Sequence, residues 1–96
     1  MANLYDVIFS VYDTNFVTGD SPVTHDIKTT LGQRSVNGYI YNFGAGDLSF
    51  EISADGTNYN SAMICPAGER RSFENWSIHK IKTTWIADTK YEVVAW

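Results

Sequence analysis

Apolar and polar residues alternate with a period of two along most of this chain, the pattern of strands half-buried on one face. From Leu4 to Tyr12, the side chains of Tyr5, Val7, Phe9 and Val11 share one face, and Asp6, Ile8 and Ser10 share the other. Val23 to Thr30 alternates more weakly, with Val23 and Ile27 against Thr24, Asp26 and Lys28, which predicts an edge strand with polar guards. Ser35 to Phe43 sets Tyr39, Tyr41 and Phe43 on one face and Val36 and Ile40 on the other, so both faces are partly apolar. Leu48 to Ala54 is the cleanest case: Leu48, Phe50, Ile52 and Ala54 point one way, Ser49, Glu51 and Ser53 the other. Tyr59 to Ile64 and Arg70 to Phe73 read as shorter strands.

In the next stretch Trp76 and Ile78 share one parity, while Ile81, Thr83 and Trp85 share the opposite one. That phase slip predicts a β-bulge, or a bend where the chain passes between sheets. Tyr91, Val93 and Ala95 then alternate with Glu92, Val94 and Trp96, and a tryptophan directly after such a run is expected to be packed. Helical periodicity is nearly absent: the one candidate turn, from Lys28 to Val36, contains Thr29, Thr30 and Gly32, all poor helix formers.

Turn chemistry separates these runs. Asp13-Thr14-Asn15 is expected to break the first strand, and Thr18 to Pro22 forms a loop. Gly44-Ala45-Gly46-Asp47 reads as a flexible turn closing a β-hairpin between the third and fourth strands. Asp55-Gly56 is a second hairpin signal, and Pro66 to Glu69 and Ala87 to Thr89 are further turns. Seven or eight short strands with turns between them predict an all-β domain over residues 1–96, a compact antiparallel β-sandwich or flattened barrel.

Composition changes this picture in two ways. The chain has 96 residues, enough for one modest core and no second domain. It carries 11 Asp and Glu against 7 Lys and Arg, a net charge of −4, with no basic cluster to meet a phosphate backbone. Nucleic acid is therefore excluded as a partner. No run is long and apolar enough for a membrane helix, and the first residues lack the pattern of a signal peptide. Cys65 stands alone, so no intrachain disulfide forms and folding in the cytosol is expected.

Candidate chemistry is sparse, and the chain reads as a non-enzyme without metal or cofactor. His25 and His79 show no ligand spacing, and Cys65 sits between Ile64 and Pro66 as a small buried residue would. Most aspartates fall in turns, where the side chain bonds the backbone. Asp55-Gly56-Thr57-Asn58 resembles half a calcium loop but lacks the run of alternating acids. Gly44-Ala45-Gly46 joins two strands, whereas a phosphate-binding glycine loop opens a helix. Asn75-Trp76-Ser77 matches a glycosylation acceptor by chance.

The aromatic content is the positive signal. Aromatics make up 15% of the chain while charged residues make up only 19%, below the usual quarter. Tyr39, Tyr41, Tyr59, Trp76, Trp85, Tyr91 and Trp96 exceed what one small core needs. Three readings follow. A strand-rich core uses aromatics for their strand preference. Tyrosine and tryptophan anchor protein interfaces, for which Tyr39, Tyr41, Tyr59, Trp76, Trp85 and Trp96 are the candidates. The alternative is a carbohydrate-binding β-sandwich in which exposed aromatics stack on sugar rings beside an acid or amide rim.

From Gly38-Tyr-Ile-Tyr-Asn-Phe-Gly-Ala-Gly-Asp-Leu-Ser-Phe-Glu-Ile-Ser-Ala-Asp-Gly56 the chain runs through Pro66-Ala-Gly-Glu69 and Ile78-His-Lys-Ile-Lys to Tyr91-Glu-Val-Val-Ala-Trp96. Residues 36–96 thereby resemble the small β-sandwich structural proteins of tailed bacteriophages. Those chains share a strand ending in Ile-Ser-x-Asp-Gly, a Pro-Gly-Glu turn, which here carries one extra residue, and a final Tyr-x-Val-x-Ala strand. The resemblance implies a non-enzymatic virion component: a capsid decoration, head-to-tail or tail accessory protein. Its implied partners are major capsid or tail proteins and copies of itself, forming a homo-oligomer or repeating array in the virion.

Overall fold

The structure, a computed structural model, describes residues 9–96; the part of the first expected strand from Leu4 to Ile8 lies outside the described residues. Eight strands follow: β1 (Phe9–Phe16), β2 (Val23–Asp26), β3 (Gly38–Asn42), β4 (Leu48–Ser53), β5 (Met63–Cys65), β6 (Arg70–Phe73), β7 (Lys80–Trp85) and β8 (Thr89–Ala95). One short helix, α1 (Ile27–Leu31), interrupts them.

The strands form two antiparallel sheets of four, one ordered β1-β8-β3-β6 and the other β2-β7-β4-β5. Strands 1 and 8, 2 and 7, 3 and 6, and 4 and 5 are paired, so the chain is one long hairpin rolled over on itself. That order defines a jelly roll, an open sandwich rather than a closed barrel. The alternation predicted from sequence is what fills the space between the sheets. Phe9, Ile40, Phe73, Tyr91, Val93 and Ala95 from the first sheet meet Leu48, Phe50, Ile52, Cys65 and Ile81 from the second. Phe16 and Ile78 complete the core from the ends of their segments.

The roll corrects the expected hairpin between the third and fourth strands. β3 and β4 lie in different sheets, so Gly44 to Asp47 carries the chain across the sandwich. The turn is not flexible either: a Cβ on Gly44 would collide with Thr89 and the Lys90 backbone, and one on Gly46 would stand 2.6 Å from the Asp88 carbonyl oxygen. Only β4 and β5 are consecutive strands of one sheet, joined by the loop that contains Asp55-Gly56. The expected strand from Tyr59 shrinks to Met63–Cys65.

The expected second strand also ends early. Asp26 caps a helix by accepting the Thr29 backbone N–H at 3.2 Å, and Gly32 closes it in the left-handed conformation at φ 80°. Ile27 inserts fully into the core from this single turn, and tertiary burial outweighs the weak propensity of Thr29 and Thr30. β1, in turn, runs on through Asp13-Thr14-Asn15 with a register shift, because Phe16 is buried edge-on against Tyr91 with ring centroids 5.2 Å apart. The phase slip after Ile78 is the passage from β6 to β7 and thus from one sheet to the other. There, Ser35 and Ile78 form an isolated bridge, and His79 N–H donates to the Ser53 carbonyl at 2.8 Å.

Candidate functional site

The outward side of the β1-β8-β3-β6 sheet follows from the same alternation. Ile40 and Asn42 point inward, so Tyr39 and Tyr41 point outward, as do Tyr12 on β1 and Glu92 and Val94 on β8. Register places Tyr12 and Tyr41 on either side of Glu92, and Tyr39 beside Val94. Phe43 continues the row and stacks on Tyr12 at 4.9 Å and 20° between planes. Trp96 extends β8: its N–H donates to Asn37 O, and its carbonyl accepts from Val36 and Asn37 N–H. The chain end is thus structured, as expected, but Trp96 is not packed away: the residue is 48% exposed, and its indole meets Tyr39 edge-on at 6.5 Å.

Polar groups lock this aromatic row. The Arg70 guanidinium lies 4.4 Å from the Tyr39 ring centroid and 5.6 Å from that of Tyr41, and each such contact is worth about 0.5–1 kcal/mol at a wet site. The Tyr39 hydroxyl donates to Glu92 Oε1 at 3.0 Å. Partial burial, and then the Glu92 carboxylate it binds, raise the Tyr39 pKa. The row is therefore a prepared apolar surface with one fixed cation and one fixed anion. Between its Trp96 end and β6 it opens into a cleft of about 360 Å³ bounded by Tyr39, Arg70, Glu74 and Trp96.

Of the six interface candidates, Tyr39, Tyr41 and Trp96 come together on this face. Tyr12 and Phe43 belong with them. Phe43 had a legible signal in its shared parity with Tyr39 and Tyr41, whereas Tyr12 joins only through the pairing of the first and last strands. Trp85 is turned inward, packed on the core, with its indole N–H donating to Asp88 Oδ1 at 3.1 Å. The same oxygen accepts from Thr18 N–H and Oγ1, and these bonds, with that from Trp85, hold Asp88 below its ordinary pKa. Trp85 thus helps clasp two loops together.

Tyr59 and Trp76 lie elsewhere, in an open depression of about 360 Å³ that also takes in Asp55, Asn58, Asn60 and Ser77. Asn75 adopts the left-handed conformation at φ 59°, which asparagine tolerates better than most residues. The next N–H, that of Trp76, then bonds Val36 O at 3.0 Å, leaving the indole against Phe73 and 39% exposed. The opposite rim is the Asp55 turn. Its carboxylate accepts from Ser53 Oγ, Thr57 N, Asn58 N and Asn58 Nδ2, and these bonds, Asn58 foremost, hold its pKa far below the ordinary carboxylate range.

Of the remaining reactive side chains, Cys65 and His25 are committed to structure, while His79 keeps a buried Nδ1 without a partner among the described residues. Cys65 is buried, its thiol donates to the Glu69 carbonyl at 3.4 Å, and burial pushes its pKa up. His25 is buried and hydrogen-bonded to the Tyr91 hydroxyl at 3.0 Å. His79 Nε2 lies 3.7 Å from Asp26 Oδ1. Among the described residues no three of His, Cys, Asp and Glu stand close enough to hold a metal ion, and no helix is long and apolar enough to cross a membrane.

No family model matches the chain, and no curated protein or solved structure matches it significantly.

Proposed function

We propose that this chain is a non-enzymatic structural protein of a tailed bacteriophage virion, a capsid decoration or head/tail accessory component, that works by protein–protein association in a repeating assembly. The observation that carries the reading is the row of Tyr12, Tyr39, Tyr41, Phe43 and Trp96 on one outer sheet face, ordered around Arg70. Tyrosine, tryptophan and arginine are the residues that anchor interfaces, and they cluster at the interface centre. Here they are pre-positioned by a sheet, so little side-chain entropy is lost on docking. Modest single contacts suffice when many copies bind one lattice, because avidity multiplies them. The sequence resemblance over residues 36–96 supports the same class, and the jelly roll is a fold that capsid proteins use, an analogy of fold alone.

Light scattering on the purified protein over a range of concentrations, then co-sedimentation with the parent particle, tests this. Concentration-dependent oligomers or saturable particle binding are expected, both lost on Tyr41→Ala with Trp96→Ala. A strict monomer that leaves the particle unbound overturns the proposal.

A further inference from the structure

We infer that the depression between the β4–β5 loop and the β6–β7 crossing is a binding site for a neutral saccharide, separate from the aromatic sheet face. Its volume of about 360 Å³ falls within the range of roughly 300–1,000 Å³ typical of small-molecule sites. Trp76 and Tyr59 supply aromatic surface there, one face of the Tyr59 ring being taken by Lys82 Nζ at 4.5 Å. The negative faces of such rings attract the polarised C–H groups that line one side of a pyranose, while the hydroxyls of the sugar need partners at its edge.

The rim offers those partners in a fixed sense. Asn60 Oδ1 is occupied by the Ile52 N–H at 2.9 Å, which leaves its Nδ2 as a donor. Asn58 Nδ2 is occupied by Asp55 Oδ2 at 2.8 Å, which leaves its Oδ1 as an acceptor. Ser77 Oγ and the Tyr59 hydroxyl both donate and accept, and neither bonds another described residue. A sugar hydroxyl is itself donor and acceptor, so this mixture suits neighbouring hydroxyls better than a purely apolar anchor.

Charge narrows the ligand class. Three of the bonds inside the Asp55 turn fall on Oδ1 and saturate it, and the fourth, from Asn58 Nδ2, takes one of the two acceptor sites of Oδ2. Asp55 is therefore a fixed negative charge with one acceptor site left on Oδ2 for a hydroxyl, and it opposes phosphate, sulfate and uronate groups. The rim is also rigid: Asn60 binds Ile52 through its backbone N–H at 3.0 Å as well as through its side chain. Little ordering is left to be done on binding.

The test is a titration of the full chain with cellotriose, maltotriose, mannotriose and N-acetylchitotriose, and with trigalacturonate as the charged control. H–N correlation spectra follow the Trp76 indole N–H and the Asn58 and Asn60 carboxamides. At least one neutral trisaccharide is expected to shift these signals saturably, and trigalacturonate to leave them in place. Trp76→Ala should weaken binding at least about tenfold. Asn60→Asp keeps an oxygen for the Ile52 N–H while removing the donor, so it should weaken binding with the fold intact. Trp96→Ala, on the other face, should leave sugar binding unchanged, which separates this inference from the association reading. Silence from all four neutral sugars at millimolar concentration overturns it. So does binding that survives both Trp76→Ala and Asn60→Asp, or equal binding of trigalacturonate.

Discussion

The two outer sheet faces of this sandwich are built on the same alternation and hold opposite chemistry. Behind β1-β8-β3-β6 stand Tyr12, Tyr39, Tyr41, Phe43 and Val94, with one arginine and one glutamate pinned among them. Behind β2-β7-β4-β5 stand Thr24, Ser49, Glu51, Lys82 and Thr84, with Ile64 the exposed apolar residue. On that second face Lys82 Nζ serves Glu51 at 3.6 Å and the Tyr59 ring at 4.5 Å, a solvated charge arrangement. The difference teaches where the aromatic surplus went. The inward positions of both sheets make one core, and of the surplus aromatics Tyr12, Tyr39, Tyr41, Phe43 and Trp96 gather on one outer face while Tyr59 and Trp76 line a separate depression.

The comparison can be broken from the inside outward. Ile40 lies beneath the aromatic face and Ile81 beneath the polar one, both fully buried. Alanine at either should cost about 2–5 kcal/mol in urea unfolding, and to a similar degree, because the core does not know which face lies above it. A loss confined to one sheet would show that the faces differ in stability after all.

Next in size comes the polar tie between the sheets. The Tyr91 hydroxyl on β8 bonds Thr83 Oγ1 on β7 at 2.8 Å and His25 on β2 at 3.0 Å. Tyr91→Phe should cost about 1–3 kcal/mol, since both partners stay buried. Burial lowers the His25 pKa from its ordinary 6.5, only partly offset by Asp13. The unfolded chain then takes up the proton first, and stability should fall as pH drops from 6.5 toward that lowered value. Burial also pushes Tyr91 from 10.0 up to about 12, the Thr83 bond acting against it, so the unfolded chain loses that proton first and stability should fall again between these values. Melting curves against pH check both windows. His25→Gln should remove the acid one and Tyr91→Phe the alkaline one.

On the outer faces themselves the effects are smaller in stability and larger in association. Tyr41→Ala and Trp96→Ala should each cost about 1 kcal/mol or less in folding yet weaken self-association or particle binding about tenfold. Thr84→Ala, their counterpart on the polar face, should change neither quantity. Smallest of all, Glu51→Gln should cost at most about 1 kcal/mol, with the difference shrinking in high salt, as expected for a half-exposed pair.

Much of the fold was legible because burial in a strand is written locally. The inward rows Leu48, Phe50, Ile52 and Tyr91, Val93, Ala95 read directly from alternation and proved buried, but at the end of β4 the expectation fails: Ser53 is buried and Ala54 exposed, because Ser53 Oγ turns in to bond the Asp55 turn. Turn signals were legible as turns but not as destinations. Gly44-Ala45-Gly46 shows that the chain reverses; it does not show whether the next strand pairs with the last or crosses the sandwich. Asn42 ties that crossing to its neighbours, a part that is invisible in sequence. Its Nδ2 donates to the carbonyls of Gly46 at 2.7 Å and Cys65 at 2.9 Å, while its Oδ1 accepts from Gly44 N–H and Thr89 Oγ1. One fully satisfied buried amide thus pins three sheet-to-sheet connections at one end of the roll. The aromatic face was half legible for a related reason. Tyr39, Tyr41 and Phe43 share a strand and a parity, but Tyr12 and Trp96 reach them only through long-range pairing.

By itself, then, the sequence determined strands, their inward rows and an aromatic excess, because side-chain period and hydrophobicity act over neighbouring residues. It also placed most of the turns, since asparagine, aspartate, glycine and proline carry their conformational preferences with them, although Asp13-Thr14-Asn15 proved to lie within β1. Tertiary structure decided the rest. It set the nested pairing of first strand with last and the helical turn forced by burying Ile27. It also sent Trp85 inward, while Trp96 joined Tyr39 on one face and Trp76 joined Tyr59 in a separate depression. Those choices depend on contacts between residues far apart in the chain, and no local period records them.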